Sequence, residues 1–193
     1  MTPPDAVSTS GVKENRGAML TVPQLETERL LLRPFTRDDV DPMFAIIGDP
    51  VAMQYYPRTF TREDAAQWIE RNLRSYANDE YGLLAVVLKS SGEMIGDCGL
   101  SWQLADGEPL LELGYHLRRD HWGHGYATEA AHACMDHAFR ILALDRLVSL
   151  IRPDNVPSRR VAERNGMWAE RQVTHSGLPH LLYVMTRESY GQA

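Results

Sequence analysis

The stretch Glu112–Ala131, ELGYHLRRDHWGHGYATEAA, constrains this chain more than any other. An apolar, strand-like run ends in a short polar turn. Gly123 and Gly125, one residue apart, then open a long helical pattern. The first turn of a helix carries backbone N–H groups without partners and the positive end of the helix dipole, so it attracts phosphate. Glycine has no Cβ and lets a ligand approach the backbone closely. The segment therefore reads as a pyrophosphate cradle between a strand and a helix. A glycine pair at such a place also serves turning alone, so the flanks must decide. Two nucleotide motifs are excluded by them. A P-loop needs Lys and Ser/Thr directly after its last Gly, and here Tyr126 and Ala127 follow. The dinucleotide fingerprint needs a third Gly where Thr128 stands.

The 193 residues suit one domain with an N-terminal tail. Residues 1–22 are rich in Pro, Ser, Thr and Gly without periodicity and read as a flexible tail, leaving 23–193 as the domain. A formal charge of −6 argues against a general phosphate-backbone binder, so no nucleic-acid partner is expected. No segment reaches the ~20 apolar residues of a membrane span, and no signal-peptide core is visible. A cytoplasmic location is expected. Cys98 and Cys134 lie in apolar runs and read as buried free thiols. His132, Asp136 and His137 fall on the polar side of a helix, so no metal site is expected.

The element pattern is legible along the chain. RLLLRPF from Arg29 reads as a strand closed by Pro34. Thr36-Arg37-Asp38-Asp39 and Thr61-Arg62-Glu63-Asp64 each place a hydroxyl three residues before a carboxylate, the capping-box signature of a helix start. The first helix should face inward with Val40, Met43, Phe44 and Ile47, the second with Ala65, Trp68, Ile69 and Leu73. The loop between them, Gly48–Phe60, carries Tyr55, Tyr56 and Pro57. Strands are expected at 82–89, 94–104 and 109–117, antiparallel because their connections are too short for crossovers. A long helix over 124–142, a strand at 146–152, a short helix over 155–165 ended by Gly166, and strands at 167–174 and 180–187 complete the pattern. The result is a mixed α/β fold of about seven strands, ordered β-α-α-β-β-β-α-β-α-β-β.

This order, with the cradle between the fourth strand and the third helix, resembles the GNAT superfamily of acyl-CoA-dependent N-acetyltransferases from about Leu25 to Tyr190. Four segments carry the resemblance. Leu25–Arg33 is similar to the opening of the ribosomal-protein N-terminal (RimJ/RimL-like) branch. Ile95–Leu100 is similar to its third strand. Glu112–Tyr115 with Trp122–Ala130 is similar to its acetyl-CoA segment, and Asp154–Ser158 with Asn165–Met167 to its C-terminal signature. The resemblance implies a twisted, mostly antiparallel sheet with a splayed centre at the acyl-CoA site. It implies acetyl-CoA as co-substrate. The pantetheine arm would lie on the backbone of Tyr115, His116 and Leu117, with a bulge at Gly114 making room. The pyrophosphate would sit on Trp122, Gly123, His124, Gly125, Tyr126, Ala127 and Thr128, and Asn155 would bond the pantetheine. Many relatives place Gln or Arg where this chain has Asp120.

Transfer to an amine needs a base for nitrogen, polarisation of the thioester carbonyl and stabilisation of the leaving thiolate. Glu112, a carboxylate within an apolar strand, is the candidate base, directly or through water; the other reading is a carboxylate that pairs with an Arg or caps a backbone group. A backbone N–H near His116 would polarise the carbonyl. The tyrosine that many relatives use as acid is replaced by Ala162. Ser158 is then the candidate thiolate donor, or only a hydroxyl that satisfies its helix start. Tyr115, His116, His175 and His180 are placed around the acceptor. The function implied is acetyl transfer to a protein N-terminus, a polyamine, an amino acid or an antibiotic amine, in a monomer or homodimer. A non-catalytic acyl-CoA sensor is the alternative.

Overall fold

The computed structural model describes residues 22–79 and 81–192. The tail expected over 1–22 lies outside them except for Val22, which packs against the core. Eight strands form one sheet in the order β1-β2-β3-β4-β5-β6-β8-β7. They are β1 Leu25–Glu26, β2 Leu30–Arg33, β3 Leu83–Leu88, β4 Glu93–Ala105, β5 Glu108–Leu117, β6 Arg146–Ile151, β7 Trp168–His175 and β8 Leu178–Thr186. The helices are α1 Val40–Ile47, α2 Arg62–Asp79, α3 Tyr126–Asp136, α4 Val156–Arg164 and α5 Arg187–Tyr190. Two-residue β1 and four-residue α5 are additions to the expected pattern. Neither is long enough to show a period in sequence.

Both capping boxes form. Asp39 accepts from the Thr36 N–H at 2.7 Å, and Asp64 from the Thr61 N–H at 2.7 Å. Arg33 clamps Asp39 through two bonds of 2.8 and 2.7 Å, which fixes α1 against β2. The inner face of α1 is Met43, Ile46 and Ile47, while Phe44 lies exposed. A 3-10 turn at Arg37–Asp39 precedes the helix and packs three residues per turn, so the face rotates away from a pure 3.6 count. Asn72 joins Ala65 and Ile69 inside α2 because its amide serves the backbone: it donates to the Trp68 carbonyl and accepts from the Leu83 N–H at 2.9 Å.

The sheet separates two cores. Leu113, Tyr115 and Leu117 of β5 face α3 with Ala130, Ala131 and Cys134. Small residues there allow the helix to come close to the strands. On the opposite face, Leu83, Ala85 and Val87 meet Met43, Ile46, Ile47 and Ile69. Both cysteines are free and buried. The helix expected over 124–142 is α3 followed by a π turn, His137–Ile141. It starts two residues later than expected because Gly125 sits in the left-handed region as the N-cap.

The feature that positions the site is the seam between β5 and β6. These strands run parallel and pair at one register position, Glu112 with Val148. Beyond it, side chains replace the ladder. Ser149 Oγ donates to the Leu113 carbonyl at 2.7 Å, and the Leu150 N–H donates to Glu112 Oε1 at 3.0 Å. The expected bulge at Gly114 is absent: Gly114 pairs in register with Gly99, and the opening lies on the β6 side alone.

Candidate active site

Strand alternation sorts β5 into two edges. Ser149 reaches the Leu113 carbonyl, so the backbone groups of Leu113, and two and four residues on those of Tyr115 and Leu117, face the opening. Those amides and carbonyls are what an arm lying along β5 would pair with. The Leu117 carbonyl already accepts from the Trp122 indole at 2.8 Å. His116 is on the other edge, and its N–H is engaged by Asp97 Oδ1 at 3.1 Å. Of the three backbone positions expected for the arm, the geometry leaves Tyr115 and Leu117.

At the mouth of the opening lies the glycine turn. Gly123 has φ 80° and Gly125 has φ 83°, a region that side-chain-bearing residues enter at a cost. A Cβ on Gly123 would meet no protein atom within 4 Å. The glycines thus serve both the turn and an open approach to the backbone. The Trp122 N–H is spent on the Arg119 carbonyl at 3.1 Å. Of the residues expected to cradle a pyrophosphate, Trp122 thus has its N–H engaged within the turn. The amides of Tyr126, Ala127 and Thr128 form the first turn of α3, where no carbonyl partner exists within the helix. The Thr128 hydroxyl is buried without a hydrogen-bond partner. An orphaned hydroxyl beside orphaned amides fits a phosphate oxygen. His124 stacks on Tyr126 at 5.7 Å, and its carbonyl accepts from Arg29 at 2.9 Å.

The opening motif of the chain holds this cradle in place. Glu129 Oε1 accepts from the Thr27 hydroxyl at 2.5 Å and from the Arg29 N–H at 3.0 Å, and Glu129 Oε2 pairs with the Arg29 side chain at 2.6 Å. These contacts pull Glu129 below the usual carboxylate range against the upward push of burial. The spacing of Thr27 and Arg29 thus serves the helix that carries the cradle, about a hundred residues away.

On the far side of the opening, α4 starts at an Asn155 cap. Asn155 Oδ1 accepts from the Ser158 N–H at 3.2 Å, so its oxygen serves the helix and only its amide nitrogen remains for a ligand. Ser158 Oγ lies 3.2 Å from the Tyr115 hydroxyl, which itself donates to the Ser158 carbonyl at 3.0 Å. Burial pushes the Tyr115 phenol well above its usual range, so it stays a donor. Ala162 is buried in the core. A phenol from β5 therefore stands at the α4 start even though α4 lacks one. Tyr115 faces α4, on the sheet face opposite His116.

Glu112, Gly114 and His116 lie on the opposite sheet face. Glu112 is half-buried, and one of its oxygens holds the Leu150 N–H, the donor that the parting of the strands would orphan. The backbone-capping reading of Glu112 is thus realised for Oε1. Burial pushes its pKa up, while the Leu150 N–H, His175 and His116 pull it back. His175 stands near Glu112, and its ring is 5.3 Å from that of His180. His180 is buried, which lowers its pKa. His116 Nδ1 meets Asp97 Oδ1 at 2.8 Å, and His116 Nε2 meets the Tyr56 hydroxyl at 2.6 Å. Burial works to lower the His116 pKa, but Tyr56 and Asp97 outweigh it and the value rises well above the usual range. Asp97 is fully buried and also accepts from the Trp68 indole at 3.1 Å.

Asp97 was missed in sequence, although it is a carboxylate inside an apolar strand, the same signal that picked out Glu112. Asp120, at the position where the resemblance places Gln or Arg in many relatives, accepts from Arg118 at 2.7 Å. Among the described residues no group of three His, Cys, Asp or Glu is placed to hold a metal, and no helix is long and apolar enough to cross a membrane.

Residues 29–168 match the acetyltransferase (GNAT) domain. The chain is 33% identical over 168 residues to the uncharacterised protein YkkB of Bacillus subtilis (strain 168), covering 86% of this chain and 96% of that one. It superposes on the acetyltransferase of Agrobacterium tumefaciens str. C58 with a TM-score of 0.75 and 31% identity, covering 89% of this chain and 99% of that one. The fold is also shared with RimL, a ribosomal L7/L12 α-N-protein acetyltransferase solved with coenzyme A, at a TM-score of 0.66 and 18% identity, covering 86% and 97%. The chain belongs to the GNAT family of acetyltransferases, and is an acyl-CoA-dependent N-acetyltransferase.

Proposed function

We propose that this protein acetylates a primary amine by direct attack of the amine on acetyl-CoA in a ternary complex. The observation that carries the proposal is the parting of β5 and β6 after one paired residue, with the Gly123–Thr128 cradle at its mouth. Acetyl-CoA supplies the activated acetyl group and a thiolate leaving group. The backbone groups of Tyr115 and the N–H of Leu117 bind the arm as a strand would. The cradle amides and the Thr128 hydroxyl bind the pyrophosphate.

The acceptor enters from the face that carries Glu112, Gly114 and His116. Gly114 has no side chain, and a Cβ there would meet only Leu83 at 3.8 Å, so a gap lies over the centre of the strand. Glu112 takes, through Oε2, the proton that the nitrogen sheds as it forms the amide bond. Ser158 turns its hydroxyl from Tyr115, to which it donates at 3.2 Å, to the leaving sulfur, and the positive end of α4 adds to it. The acceptor is a protein N-terminus or a small amine, as in the RimJ/RimL-like branch that the opening segment resembles. The buried free thiols agree with a reducing, cytoplasmic setting.

The test is coenzyme A release from acetyl-CoA with a panel of primary amines: a short peptide with a free N-terminus, a polyamine, an amino acid and an aminoglycoside. Release that depends on one amine class, with a mass gain of one acetyl group on that amine, is expected. Coenzyme A binding without turnover on any amine would move the protein to a sensor role.

A further inference from the structure

We infer that Tyr56, His116 and Asp97 form a proton relay that strips the ammonium form of the acceptor before attack. The inference rests on the acetyltransferase reading above and adds a residue set to it. An amine at neutral pH arrives as R–NH3⁺, and making an amide removes two protons from that nitrogen. Glu112 accounts for one. The other must leave before a lone pair exists to attack. In the relay an ammonium N–H bond breaks as the proton passes to the Tyr56 oxygen. The Tyr56 O–H proton passes to His116 Nε2 in the same movement. The phenol is regenerated, the electron pair stays on nitrogen, and the imidazolium keeps the proton until solvent removes it.

Four observations support this path. The bonds are continuous: 2.6 Å from Tyr56 to Nε2 and 2.8 Å from Nδ1 to Asp97. Asp97 accepts through Oδ1 and therefore sets the tautomer of the neutral ring, Nδ1–H toward the carboxylate and Nε2 open to the phenol once the imidazolium has lost its proton. A fully buried carboxylate is costly, and here two N–H groups of His116 and the Trp68 indole satisfy it. Finally, Tyr56 is 40% exposed on the loop between α1 and α2, and it brings the end of the path to the acceptor face. The groups facing the ring are Asp97 from β4, Tyr56 from the loop, Trp68 from α2 with Arg71 stacked behind it, and Glu112 on its own strand. Glu112 and His116 are four residues apart, about 13 Å along a strand, with the Gly114 gap between them. An acceptor nitrogen over that gap meets one proton acceptor from each side. Tyr56 is the catalytic group in this path, and His116 and Asp97 are positioning residues.

The test is the pH dependence of kcat/KM for the best amine of the panel, with Tyr56→Phe and Asp97→Asn. Tyr56→Phe keeps the ring that packs on Phe60 and His116 and removes only the hydroxyl. It should lower kcat/KM for the amine about 100-fold at pH values above the His116 pKa, where the ring is neutral. The loss should shrink as pH nears the amine's own pKa, and KM for acetyl-CoA should not move. Because the relay works when His116 is neutral, the wild-type rate rises with pH through the His116 pKa. Asp97→Asn removes the charge that holds the imidazolium, so that limb moves to lower pH. NMR titration of the His116 ring should show the same shift without any substrate. A Tyr56→Phe enzyme with wild-type kcat/KM at pH values above the His116 pKa, or an Asp97→Asn limb that does not move, would overturn the relay while leaving the acetyltransferase reading intact. A wild-type protein inactive on every amine would overturn both.

Discussion

Glu112 has one structural duty and one proposed catalytic duty that substitution can separate. Oε1 accepts the Leu150 N–H at 3.0 Å at the point where the strands part, and the proposed chemistry is assigned to Oε2. Glu112→Ala removes both. A buried donor left without a partner costs about 1–3 kcal/mol. For a chain of this size about 1 kcal/mol corresponds to 2–4 °C in Tm, so Glu112→Ala should melt about 2–12 °C lower. Glu112→Gln keeps a carbonyl oxygen for Leu150 and loses the base. Its kcat should fall about 100-fold or more. Its stability should move the other way. The folded state raises the Glu112 pKa, so it binds the proton more tightly than the unfolded chain does. Wild-type stability therefore falls as pH rises from the ordinary glutamate range through the folded pKa, and the neutral amide does not share that loss. At pH 7, Glu112→Gln should be at least as stable as wild type and nearly inactive. Thermal melts at pH 4, 5.5 and 7, paired with thiol-release rates, make the comparison. If Glu112→Gln melts as low as Glu112→Ala, or turns over at the wild-type rate, the two-duty argument is wrong.

Gly123→Val and Gly125→Val should each abolish coenzyme A binding in calorimetry while leaving the far-UV spectrum unchanged; undiminished affinity in both would remove the cradle. Thr128→Val keeps the shape and deletes the orphaned hydroxyl, so it should weaken coenzyme A binding by about tenfold and leave dephospho-pantetheine binding unmoved. An equal loss for both ligands would place Thr128 outside the pyrophosphate site. Ser158→Ala should slow acetyl transfer about 10–100-fold when thiol departure limits the rate, since a hydrogen bond to a charged group contributes about 1.5–3 kcal/mol. Pre-steady-state thiol release at the wild-type rate would leave that hydroxyl with the helix start alone.

The sequence by itself determined the local pieces. Capping boxes at Thr36 and Thr61, the glycine turn at Gly123 and Gly125, and the helix stop at Gly166 are chemistry between residues a few positions apart, so they are visible without a fold. The apolar runs of β3, β4 and β5 and the small-residue face of α3 follow from periodicity in the same way. What the tertiary structure alone decided is which long-range partner each polar group finds. Glu112 meets Leu150 because β5 and β6 part after one register position. Tyr115 meets Ser158 because alternation turns it toward α4. Thr27 and Arg29 meet Glu129 because β2 runs beneath the start of α3. His116 meets Asp97 and Tyr56 because strand pairing sets positions 97 and 116 opposite each other and the α1–α2 loop folds over them. Those pairings depend on register and strand order, and no local pattern encodes them. A buried carboxylate in an apolar strand marks in sequence that a partner must exist, and only the fold says which one.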